Sequence, residues 1–168
     1  MISHRQIMNN AATAVRDSAD VLEYCKTNFG RGIDINVGAY AQGIPSAEDS
    51  PFLWIQPKEE NEALNQDETF TVRFTVGGCV KGEGGEKVIM NRITERTSEQ
   101  NGLTLNGGNA VVENLRDRIM EVVRDAKAGA RVVAMRRVEN DISHFPLEWA
   151  EFFVDYFEAE SLNESNIN

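Results

Sequence analysis

The opening of the chain keeps a helical rhythm. Ile7, Met8, Ala11, Val15, Ala19, Leu22, Cys25 and Phe29 recur at three- and four-residue steps and form one apolar stripe. Ser3 is suited to cap the start of this stripe, and Gly30 to supply the left-handed residue that ends it. One long helix over 3–29 is predicted. Two short apolar segments follow, 33–37 and 52–56, with Gly38, Gly43, Pro45, Ser46 and Pro51 between them. They predict two strands joined by a surface loop.

The period then changes from helical to alternating. Over 68–80, Phe70, Val72, Phe74 and Val76 alternate with Thr69, Thr71, Arg73 and Thr75. Alternation of this kind predicts a strand in a sheet packed on one side only. The helices belong on the apolar side, and the polar side faces water, a channel or a partner. Gly82, Gly84 and Gly85 lie among charges and predict a hairpin turn, with Val88, Ile89, Met90 and Ile93 returning. The stretch up to Gly108 is polar, so 81–108 is either a long projecting hairpin or a mobile loop. Its charges, Lys81, Glu83, Glu86, Lys87, Arg92 and Arg96, are candidates for docking a partner.

A second helix is predicted over 109–127, where Val111, Val112, Leu115, Ile119, Val122, Val123 and Ala126 make a stripe. Asn109 is placed to cap it and Gly129 to stop it. Two strands follow, 130–140 and 147–158. In the last one Trp149, Phe153 and Phe157 share a face with Glu151 and Asp155, while Phe152, Val154 and Tyr156 take the other. Both faces are partly apolar, which predicts cover from the core on one side and from a neighbour on the other. The pattern as a whole predicts an α+β fold: a mainly antiparallel sheet with two helices packed on one face. Its order is helix, three strands, long hairpin or loop, helix, two strands. A single domain spans 1–160, and 161–168 is expected to be a flexible tail.

Composition adds limits. With 168 residues, 41% of them apolar and 26% charged, the chain suits one globular domain. No apolar run reaches the length of a bilayer crossing, and 1–8 lacks the order of a signal peptide, so a cytoplasmic protein without membrane contact is expected. Cys25 and Cys79 stand far apart and read as buried thiols. The net charge of −10 argues against a duplex-binding surface.

That charge is uneven. Arg124, Lys127, Arg131, Arg136 and Arg137 face only Asp125 over 123–137, and beyond Arg137 every charge is acidic. One reading is a solvated acidic surface. The other is a self-contact, with the basic segment of one copy against the acidic strand of the next. On that second reading the candidate interface comprises Trp149, Glu151, Phe153, Asp155 and Phe157 with Arg131, Arg136 and Arg137.

The search for chemistry is thin. His4 and His144 sit in no HxxxH or HExxH pattern, and no GxSxG elbow is present. The run 82–87 lacks the GK[ST] ending of a phosphate loop and reads as a turn. No catalytic residue, cofactor or metal is assigned, and the chain is expected not to be an enzyme.

Three segments carry a likeness to a known family. One is Ser50-Pro51-Phe52-Leu53-Trp54-Ile55, followed by an acidic stretch and the alternating Phe70 to Val76 strand. The second is Asn109-Ala110-Val111-Val112-Glu113-Asn114-Leu115-Arg116, and the third is Phe145-Pro146 leading to Trp149-Ala150-Glu151. In these the chain resembles the tail terminator, or tail completion, proteins of long-tailed bacteriophages. The resemblance implies a structural virion protein at the junction of tail and neck, assembled in the host cytoplasm. It implies a hexameric ring that caps the head-proximal end of the tail tube and meets the tube protein and a neck protein. DNA would pass through the lumen without specific binding. Another neck or head–tail connector subunit is the nearest alternative. A small α+β enzyme or ligand-binding domain is the alternative from a different class.

Overall fold

The chain folds around a five-stranded sheet, in a computed structural model that describes residues 2–38, 45–58, 68–81, 87–90, 93–95, 97–100, 103–106, 109–126, 128–138 and 147–158. The elements in chain order are α1 (His4–Arg16), α2 (Ala19–Phe29), β1 (Asp34–Val37), a short 3-10 turn (Ala47–Asp49), β2 (Phe52–Pro57) and β3 (Glu68–Gly78). Short strands β4 (Val80–Lys81), β5 (Lys87–Met90), β6 (Ile93–Glu95), β7 (Thr97–Gln100) and β8 (Leu103–Asn106) come next. Then follow α3 (Asn109–Asp125), β9 (Arg131–Val138) and β10 (Glu148–Glu158). The class is α+β.

The predicted single helix over 3–29 is two helices. Ser18 adopts an extended backbone, ψ 113°, and its hydroxyl accepts from the Val21 amide to cap α2. The break shifts the phase of the stripe. Val21, Cys25 and Phe29 point into the core, whereas Ala19 and Leu22, which the unbroken pattern placed there, are exposed. The outer ends behave as the sequence suggests. Ser3 and Gln6 form a reciprocal capping box, and Gly30 closes α2 at φ 75°.

The main sheet has the order β1-β2-β3-β10-β9. It is mixed: β1 runs parallel to β2, and the other three pairings are antiparallel. The longest strands, β3 and β10, are neighbours at its centre, in register from Glu148↔Gly78 to Glu158↔Glu68. Cross-strand partners share a face, so this register sorts the side chains. Phe70, Val72, Phe74 and Val76 lie with Ala150, Phe152, Val154 and Tyr156, and all are in the core with the apolar stripes of α1, α2 and α3. Phe74 and Phe152 stack at 4.6 Å. Three helices, rather than two, supply the apolar cover.

The described parts of 81–108 are short antiparallel strands, in a β4-β8-β7 sheet and a β5-β6 pair. The expected tail, 161–168, lies outside the described residues. Among the described residues no helix is long and apolar enough to cross a membrane.

Candidate functional site

The face of the sheet turned away from the helices collects most of the interface candidates. Alternation along β10 places Trp149, Glu151, Phe153, Asp155 and Phe157 there. From β3 come Thr71, Arg73 and Thr75, which pair with Asp155, Phe153 and Glu151. From β9 come Arg136, opposite Phe153, and Arg131, opposite Phe157. From β2 come Phe52 and Trp54.

Two carboxylates on this face are paired within the chain. Glu151 is only 4% exposed. It accepts from Thr75 Oγ1 at 3.1 Å and from Arg73 Nη2 at 3.3 Å. Asp155 accepts from Thr71 Oγ1 at 2.7 Å and from Arg136 Nη2 at 3.2 Å. Between them lies the ring of Phe153, half-buried under three cations. Lys58 Nζ is 4.4 Å from its centroid, and the guanidinium carbons of Arg73 and Arg136 are 5.7 and 5.9 Å away. At the other end of the face Trp149 meets Phe52 edge to face at 6.1 Å. Phe52 in turn covers Gly77, where a Cβ would collide with the ring.

Arg137 departs from the group. It stands opposite Phe152, on the helix side, and its Nε donates to Asp117 of α3 at 3.0 Å. Asp117 also accepts from Arg116 Nε at 3.1 Å. Burial alone would raise the Asp117 carboxyl. The hydrogen bonds and charges of Arg137 and Arg116 together outweigh it and hold the pKa below the ordinary value. Arg137 therefore ties the edge strand to α3.

The docking candidates in 81–108 are less placed. Lys81 belongs to β4 and Lys87 to β5, while Glu83, Glu86, Arg92 and Arg96 lie outside the described residues. Lys58 and Arg73 lie on the aromatic face without being candidates from the sequence, as do Phe52, Trp54, Thr71 and Thr75. Arg73 was visible as the one cation in the polar half of the alternating strand. Lys58 carried no such signal, because its place over Phe153 depends on the pairing of β2 with β3 and β10.

Groups suited to chemistry are sparse in what the structure describes. No three His, Cys, Asp or Glu come together to hold a metal among the described residues. Cys25 and Cys79 are buried thiols, and burial pushes the Cys25 thiol up to about 12. Burial also raises Cys79, against the lowering effect of the Ser50 hydroxyl. His4 packs on Phe70 at 5.0 Å with Nε2 3.3 Å from the Thr71 carbonyl. His144 lies outside the described residues. A groove of about 520 Å³ runs between the end of α3 and the start of β9. Its lining among the described residues is mostly alanine, valine and methionine, with Arg124, Asp125 and Arg131 and no His, Cys, Ser or Thr.

No protein-family model matches the chain, and no curated protein matches it.

Proposed function

We propose that this chain is a structural assembly subunit, a ring-forming tail terminator that caps the head-proximal end of a phage tail tube and joins it to the neck. The tail-terminator identity is taken from the resemblance in the three segments named above. On this reading the protein acts by contact and not by catalysis.

The observation that carries the assembling role is the aromatic face of the sheet. Trp149, Phe153 and Phe157 are partly exposed there, beside arginines, which is the composition of contact centres. The carboxylates among them are already neutralised in the same chain. Desolvating a paired, hydrogen-bonded charge costs far less than burying a lone one. Such a face suits cover by another protein.

Light scattering of the full chain after size exclusion, alone and with tail tubes present, tests the reading. A closed oligomer, or one that forms at tube ends, is the expected result. A strict monomer that also fails to bind tube ends sinks it. A second neck or connector role differs in the partner touched, and cryo-electron microscopy of intact particles separates the two.

A further inference from the structure

Among the described residues the five-stranded sheet ends in two open edges. β9 forms one and β1 the other, and among the described residues no backbone hydrogen bond reaches the outer side of either. The central position of β10 excludes it from edge pairing, since β3 and β9 occupy both its sides. We propose that the β9 edge of one copy pairs with the β1 edge of the next, with Arg136 opposite or diagonal to Asp34. The inference rests on the ring-forming reading and names the contact that would build the ring.

Strand direction supports it. β1 runs with β2, β3 runs against β2, β10 against β3, and β9 against β10. β9 is thus antiparallel to β1. Copies set side by side in the same orientation would join these edges as an antiparallel ladder, with their helices on one common side. Contact between two different edges is heterologous, and it closes into a ring when the rotation between copies allows.

Charge disfavours a two-fold pairing of β9 with itself. β9 carries Arg131, Arg136 and Arg137 and no acid, so two β9 edges would bring like charges together. β1 offers Asp34 and Asn36 on the sheet face that also holds Arg136. Arg131 is exposed and makes no ion pair among the described residues. Length agrees as well. A bulge at Val133 interrupts β9 and leaves 134–138 regular, against the four residues of β1. Arginines and a bulge guard an edge against indiscriminate pairing, and a complementary edge relieves that guard. Val133 is 56% exposed and lies on the groove beside α3, where a neighbour would cover it.

The test compares association of the full wild-type chain with Arg136→Glu, Asp34→Arg and the double variant by sedimentation velocity. Each single reversal is expected to weaken association roughly tenfold, and the double variant to recover most of it. Because Arg136 also binds Asp155, thermal melts accompany every variant. Where Arg136→Glu melts early, Asp34→Arg alone decides, since its partner Arg31 is a half-exposed surface pair. Unchanged association in Asp34→Arg overturns the edge contact and leaves ring formation standing. A wild-type chain that stays monomeric, alone and with tail tubes, overturns both.

Discussion

Arg136 and Asp155 form an ion pair inside one chain, with Nη2 3.2 Å from the carboxylate oxygen. The uneven charge pattern had suggested such a contact between copies. The two residues instead sit on adjacent strands of one sheet, and Asp155 also takes the Thr71 hydroxyl. An exposed pair of this kind adds little to stability by itself. Its larger effect is to leave the aromatic face around Phe153 with few unsatisfied charges, so that the face is cheap to cover.

That face separates two aromatic residues by role. Trp149→Ala removes the edge contact with Phe52 and is expected to cost about 2–4 kcal/mol of folding stability. Phe153→Ala removes a half-buried ring whose visible partners are cations, and is expected to cost about 1 kcal/mol. Its effect on assembly should exceed its effect on folding. Urea melts beside light scattering measure both. Equal losses in folding and assembly for Phe153→Ala would make it a plain packing residue.

Tyr156 offers a substitution with the opposite sign. Its ring is fully buried on the core side, and its hydroxyl has no hydrogen-bond partner among the described residues. Burial also raises its pKa, so the phenol stays neutral. An unpaired buried hydroxyl is a cost with no return. Tyr156→Phe is expected to leave stability unchanged or raise it by up to about 1 kcal/mol. A loss above about 1 kcal/mol in urea melts would reveal a partner for that hydroxyl.

Much of this architecture was legible in the sequence, and the reason is periodicity. The alternation of Phe70, Val72, Phe74 and Val76 named both the strand and its buried face, and β10 sorted in the same way. The break at Ser18 was not read, because Val15, Ala19 and Leu22 keep a helical step across it. The local signal was there: Ser18 followed by Asp20 is a second helix start inside the first. Sheet order was not legible either. Nothing local tells β10 that β3 and β9 flank it, so the in-chain pairing of Arg136 with Asp155 needed the register. Arg137 is a different case: alternation along the strand alone puts it on the face opposite Arg136, so the two could not share one sheet face.

The Arg137–Asp117–Arg116 cluster makes a pH prediction. The Asp117 pKa is lower in the fold than its ordinary value of 3.8. Folding thus favours the ionised carboxylate. The resulting stability is complete above that ordinary value and is lost as pH falls through the lowered native one. Asp117 is 43% exposed, so solvent screens the pair and the contribution is less than about 1 kcal/mol. Asp117→Asn should lose that amount at neutral pH and show a shallower decline in acid. Urea midpoints measured from neutral pH down through the carboxylate range check it, and parallel curves for the two proteins would refute it.

Gly77 bears the sharpest steric constraint on the aromatic face. It lies opposite Trp149 on one side and Phe52 on the other, and the Phe52 ring occupies the space a Cβ would need. Phe52 is fully buried, so its ring has little room to move aside. Gly77→Ala is expected to destabilise the fold by about 1–3 kcal/mol. Shortening the ring with Phe52→Ala should remove most of that penalty, so the two substitutions will not add. A double-mutant cycle in urea measures the coupling. Additive losses would mean that the backbone, and not the ring, sets the need for glycine. A strong coupling would show that Phe52, held down on Gly77, fixes the edge on which Trp149 rests.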